Sequence, residues 1–186
     1  TIPSDVLHEK STDITSLPYP IGTYRDVWGQ QHNTYRVDEL PDGLFEHADE
    51  WRFLRKKFGS NVIIEEWAKL EWNHLGIPMC FRLDGKSAVS LMPQLIGRIK
   101  VAPDGVAWAA TYSSGLNPKN GAFTPYHTAC VLSSEDNGYN WKLKSSVDFI
   151  PDNLEYENAF MCGGYCEPEL EFAPDGSMIM LLRVTD

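Results

Sequence analysis

Residues 134–141 of this 186-residue chain, Ser-Glu-Asp-Asn-Gly-Tyr-Asn-Trp, limit its possible folds more than any other stretch. They spell S-x-D-x-G-x-x-W, and each defining position has a mechanical meaning. Ser134 and Asp136 can fold their short polar side chains back onto turn amides. Asn137-Gly138 supplies two residues that tolerate positive φ in a tight hairpin. Trp141 then opens the returning strand and can pack its ring beneath the turn. The element expected is an antiparallel hairpin, and nothing in it points to chemistry.

A second pattern surrounds the first. Ile99–Trp108 reads as strand, Pro103-Asp104-Gly105 turn, strand, and Leu170–Ile179 repeats this around Pro174-Asp175-Gly176. Asp104 and Asp175 are 71 residues apart, and both turns carry the longer match Ala-Pro-Asp-Gly. A third copy is expected at Pro41-Asp42-Gly43, with Asp42 62 residues before Asp104. Repetition at this period points to a modular β architecture. Between the second turn and the Ser134–Trp141 hairpin, Ser113–Tyr126 is rich in Gly, Pro, Asn and Ser and reads as a long loop. Residues 46–74 read mostly as strand with one short helix possible. Trp51, Leu54, Trp67 and Leu70 at helical spacing give the competing reading of two amphipathic helices.

Composition narrows the function. The formal charge of −10 argues against nucleic acid as a partner, because phosphate binding needs a basic face. An anionic small substrate would need a few local Arg or Lys groups. No run approaches the ~20 apolar residues of a membrane-spanning helix. Six Trp and eight Tyr suit a β-rich protein and one that stacks rings on sugars. Cys80, Cys130, Cys162 and Cys166 do not form paired CxxC zinc knuckles, and no metal or other cofactor is expected. They read as buried thiols, with a local Cys162–Cys166 disulfide as the alternative.

The Ser134–Trp141 pattern resembles the Asp-box hairpin of the sialidase-like (BNR) β-propeller superfamily. Glu167–Arg183 resembles the sialidase segment in which a Glu opens a blade's inner strand and an Arg ends the strand after its Asp-Gly turn. The likeness spans roughly residues 80–186. It implies an all-β, sialidase-like β-propeller, with about three blades in this chain and about six in the complete ring. Residues 1–186 would then be a single domain, a partial propeller with blade-like units at roughly 30–75, 95–145 and 160–186. The remainder of the ring is expected from sequence not contained in this chain.

The resemblance also assigns candidate residues. Glu167 would be the base partner of a tyrosine nucleophile, and Arg183 one clamp on a sugar carboxylate, a task that suits the guanidinium fork. Arg82, in Phe81-Arg82-Leu83-Asp84, keeps part of the family's first arginine motif and is a second candidate for substrate binding. Asp26, Asp84 and Asp104 are not distinguishable as the acid/base aspartate. The nucleophilic tyrosine is expected in the missing half. His127, beside Tyr126 at the end of the loop, could act in acid/base chemistry near neutral pH; His74 is a weaker case.

The function expected is a glycosidase of sialidase type, secreted or periplasmic, acting on a glycan with a terminal carboxylated sugar. One alternative is a polysaccharide lyase or other glycosidase on the same scaffold using His127 or His74. Another is a non-catalytic Asp-box propeller that binds glycan or protein.

Overall fold

The computed structural model describes residues 7–8, 20–25, 31–40, 42–56, 59–91, 94–95, 98–119, 121, 123–149 and 163–185. The chain is all-β: among these residues there is no α-helix, only a 3-10 turn at Val37–Glu39. The strands are β1 (Leu7–His8), β2 (Gly22–Arg25), β3 (Gln31–Arg36), β4 (Glu50–Lys56), β5 (Ile63–Glu71), β6 (Cys80–Arg82) and β7 (Ser87–Ser90). They continue as β8 (Gln94–Leu95), β9 (Lys100–Val101), β10 (Ala107–Leu116), β11 (Phe123–Ser134), β12 (Asn140–Val147), β13 (Gly164–Phe172) and β14 (Met178–Thr185). One sheet runs β1-β4-β5-β12-β11-β10-β8, with β9 on β10 and the β13–β14 hairpin attached to β11. The other runs β2-β3-β7-β6. Both are open. No helix among the described residues is long and apolar enough to cross a membrane.

The Ser134–Trp141 hairpin joins β11 to β12. Ser134 Oγ accepts from the Gly138 amide at 2.8 Å and donates to Asp136 Oδ1 at 2.8 Å. Asp136 Oδ1 also accepts from the amides of Tyr139 and Asn140. Asn137 takes φ 64° and Gly138 φ 83°, the left-handed values the turn requires. The Trp141 indole N–H donates to the Gly138 carbonyl at 3.1 Å, which places the ring under the turn. Trp141 is buried with Trp51, Trp72, Met79 and Leu132 in the largest core cluster. Its strand then pairs in parallel with β5, Trp141 opposite Leu70, so two hairpins share one core.

Burial along β12 alternates, then slips one position after Lys144. The slip coincides with a bulge: Val131 faces Ser145 while Leu132 faces Leu143, leaving Lys144 without a partner on β11. One inserted residue reverses the faces of those that follow.

The Asp-Gly turns share one set of bonds. Ala102 N–H donates to Val106 O and Ala173 N–H to Ser177 O, each at 2.8–2.9 Å. Asp104 and Asp175 each accept, through Oδ1, from the amide two residues on. The copy expected at Asp42-Gly43 differs. Its flanking strands, β3 and β4, do not pair with each other, and the Glu46 and His47 amides donate to the Gly43 carbonyl in a helical-type turn; Pro41 lies outside the described residues. The third turn of this kind is instead Asp84-Gly85, between β6 and β7. There Leu83 N–H donates to Ser87 O, and Asp84 Oδ1 accepts from Lys86 N–H. Its lack of a preceding proline hid it from the sequence pattern.

Two other expectations are resolved. Residues 50–56 and 63–71 are strands, with Trp51 opposite Ala68, and the spacing that suggested helices is incidental. The loop expected at Ser113–Tyr126 is mostly strand, because β10 and β11 stay paired as far as Leu116–Phe123 beyond a bulge at Ser113/Gly115. Bulges tolerate small residues that would weaken a flat strand.

The β13–β14 hairpin packs against the face of β10–β11. Leu170, Met178 and Met180 meet Ala110, Val131 and Trp108 in a separate cluster. Lys100 Nζ donates to Glu171 at 2.7 Å, and the Arg98 amide donates to Glu169. Both bonds join residues 71 positions apart, the spacing of the repeated turn. Equivalent positions of the two repeats therefore lie side by side.

Two measurements check this account. Trp141→Ala removes a buried ring and its hydrogen bond, and should cost about 3–5 kcal/mol in denaturant unfolding. Burial pushes the Asp136 carboxyl up, but hydrogen bonds from Asn140, Ser134 and Tyr139 outweigh this and hold its pKa at about 2. Because the folded value lies below the unfolded one, the stabilisation is present above about pH 4 and is lost as pH falls toward 2. Acid titration of stability should therefore lose a component in that window in Asp136→Ala, relative to the unsubstituted chain.

Candidate functional site

The site follows from a proline inside a strand. Pro168 lacks an amide hydrogen and cannot complete the ladder between β13 and β14. The register accordingly shifts between Cys166↔Arg183 and Glu169↔Leu181, with Glu167 and Pro168 together opposite Leu182. At this bulge Glu167 takes φ 48°. Among described non-glycine residues only Asn137 shares a positive φ. A left-handed side-chain-bearing residue costs about 1–3 kcal/mol, and such positions cluster at functional sites.

The bulge brings Glu167 to Arg183, whose Nη1 donates to Glu167 Oε1 at 2.8 Å. The hydrogen bond and the carboxylate charge push the arginine's pKa further up. Both side chains remain about half exposed. The other guanidinium N–H groups have no protein partner among the described residues, so the fork can still take a planar anion in bidentate fashion.

Tyr112, on β10, completes the arrangement, and no motif announces it. Burial pushes its phenol pKa up, Cys166 and Glu167 push the same way, and Arg183 opposes them. β10 packs beside β13, the strand that carries Glu167. Tyr112 holds its proton at neutral pH and is a donor. Its ring meets His127 edge-on, with centroids 4.8 Å apart. His127 is half-buried, and its buried Nδ1 has no hydrogen-bond partner. Burial lowers the imidazole pKa, so the ring is neutral near pH 7.

Gly164 allows this convergence. It pairs with His127 across the parallel β11–β13 contact at φ 114°. A Cβ there would lie 2.7 Å from both the N and O of His127. Tyr126 and Tyr165, each next in sequence to one of that pair, pack against Phe149 with ring centroids 5.3 Å apart.

The other candidates lie elsewhere. Arg82 is in the four-stranded sheet, its guanidinium carbon 4.3 Å from the Phe45 ring centroid, and no hydrogen bond or ion pair joins it to Glu167 or Arg183. Asp84 and Asp104 are engaged by the amides of their own turns, and Asp26 lies outside the described residues. His74 is exposed in the turn after β5, with its amide donating to Pro118 O. Burial pushes the Cys80 and Cys130 thiols up to about 12, where they are poor nucleophiles. Cys166 Sγ lies 3.6 Å from the Arg183 carbonyl, while Cys162, the other half of the suggested disulfide, lies outside the described residues. Among the described residues no group of three or more His, Cys, Asp or Glu side chains is placed to hold a metal ion.

No known family model matches the sequence, and no curated protein matches it.

Gly164→Ala should destabilise the chain by about 1–3 kcal/mol, because the new Cβ must push backbone aside. The same variant should move the amide signals of both His127 and Glu167 in NMR spectra. Changes confined to residues 163–165 would mean that the strand contact does not support the site.

Proposed function

We propose that the protein is a sialidase-like β-propeller glycosidase that removes a terminal carboxylated sugar, a sialic or uronic acid, from glycans. The observation that carries this reading is the half-exposed Glu167–Arg183 pair, held at a strained bulge on a strand that packs beside β10 and its half-buried Tyr112. The propeller reading draws support from the blade-sized four-stranded sheet β2-β3-β7-β6 and from the 71-residue contacts. Inner strands of adjacent blades place equivalent residues next to each other in this way. A glycan substrate would put the protein in a secreted or periplasmic setting.

In the proposed mechanism the open N–H groups of Arg183 grip the sugar carboxylate, which fixes the ring and favours an anion over a neutral sugar. Glu167 accepts the proton of the attacking hydroxyl, with Arg183 stabilising its charge between turnovers. The nucleophile and the acid are supplied from outside the described residues. His127 stays neutral and supports the Tyr112 ring by packing.

One observation favours a second reading, a propeller that binds such sugars without cleaving them. Asp84 and Asp104 are committed to their turns, so neither stands ready as an acid.

Hydrolysis of an aryl sialoside and an aryl glucuronide tests both readings. Turnover of one of them, cut about 10²–10⁴-fold in kcat by Glu167→Gln with little change in KM, is expected. Arg183→Lys should mainly raise KM, because an ammonium cannot reproduce the bidentate fork. Unchanged turnover in Glu167→Gln would remove that residue from the mechanism. Saturable binding of the sialoside without turnover would establish the second reading instead.

A further inference from the structure

A cavity of about 540 Å³ opens at the other end of β11, beside the Ser134–Trp141 hairpin. Ser134 lies seven positions beyond His127 on β11, about 23 Å along the strand, so this cavity is remote from the Glu167–Arg183 pair. Its walls come from the 45–50 turn, the end of β5, the turn at 72–77 and the start of β12. Two features of the sequence hold it open. β12 runs parallel to β5, with Asn140 opposite Lys69 and Lys142 opposite Glu71. The Asn73 carboxamide accepts from the Leu75 and Ile77 amides and donates to the Ile77 carbonyl, and so fixes the 72–77 turn.

The lining is built to receive something. Glu46, Asp49, Glu71, Lys69 and Lys142 all border the cavity, and none of these side chains makes a hydrogen bond or ion pair among the described residues. Charges of both signs thus surround one space without neutralising each other. Trp72, 2% exposed, also lines it, and its buried indole N–H has no hydrogen-bond partner. A buried donor without an acceptor is destabilising, and a ligand hydroxyl that reached it would relieve that cost. Phe45 adds partly exposed aromatic surface beside the buried Trp72 and Trp141, and the volume falls within the ~300–1,000 Å³ of small-molecule sites.

We propose that this cavity is a second sugar site, taking one neutral pyranose of a glycan. A neutral pyranose combines apolar C–H faces for the rings with hydroxyls that donate to carboxylates and accept from ammonium and indole groups. An anionic sugar would meet Glu46, Asp49, Glu50 and Glu71 together, and an amine would meet Lys69 and Lys142. This proposal does not depend on the chemistry assigned to Glu167 and Arg183.

The test uses the full chain, ¹⁵N-labelled and titrated separately with the methyl pyranosides of glucose, galactose, mannose and N-acetylglucosamine. At least one should shift the Trp72 indole N–H saturably, while methyl glucuronide and methyl glucosaminide should not. Asp49→Asn with Glu71→Gln, both at exposed positions, should weaken binding at least about tenfold without lowering Tm. Trp72→Phe should do the same if it folds, and the exposed pair serves if it does not. Arg183→Ala should leave the titration unchanged. Failure of all four neutral sugars, undiminished binding in the double variant, preference for a charged sugar, or loss in Arg183→Ala would each overturn the proposal. Since Arg183→Ala disables the other site alone, failure of one site remains distinguishable from failure of the other.

Discussion

The burial of Trp141 is the interaction on which most of this structure depends. Its indole N–H closes the hairpin beneath Gly138, and its ring lies 6.2 Å from that of Trp51. Its backbone stands opposite Leu70 in the parallel contact that joins β12 to β5. A large ring that satisfies its polar atom within its own turn can be buried without penalty. It therefore anchors a turn, a core and a joint between two hairpins at once. The cavity opens beside that joint, where the 45–50 and 72–77 turns approach the sheet.

The other half of the molecule depends on local exceptions to strand geometry. Pro168 interrupts a ladder, Glu167 accepts a left-handed backbone, and Gly164 permits two strands to touch where any side chain would collide. Each exception weakens the strand as a strand. Together they join a carboxylate to a half-exposed guanidinium on a strand beside β10, and the packing of Leu170, Met178 and Met180 on Ala110 and Val131 offsets the local cost.

Much of this was legible in advance, and the misses have physical reasons. The hairpin at 134–141 and the turns at Asp104 and Asp175 were readable because turn chemistry is local: a short acceptor, a residue free to take positive φ, and a bond two residues away. The same logic misplaced the third turn. Pro-Asp-Gly at 41–43 has the right residues, but no strand pairing across it, whereas Leu83-Asp84-Gly85 has the pairing without the proline. The meeting of Glu167 with Arg183 was legible from their equal distance to Asp175. Arg82 was a reasonable candidate from its neighbours in sequence, yet its strand belongs to the other sheet and its charge rests on Phe45. Tyr112 was invisible because nothing near it in sequence marks it; only the packing of β13 against β10 brings its strand beside the one that carries Glu167.

By itself the sequence determined the all-β character, the chemistry of the tight turns and the hairpin that pairs Glu167 with Arg183. All of these rest on interactions within a few residues or across one turn. Only the tertiary structure decided which sheet each hairpin joins, that Tyr112 meets His127 on the strands beside β13, and that unpaired charges surround a cavity beside Trp141. Those outcomes depend on long-range packing and strand register, where one bulge reverses the face of every residue that follows it.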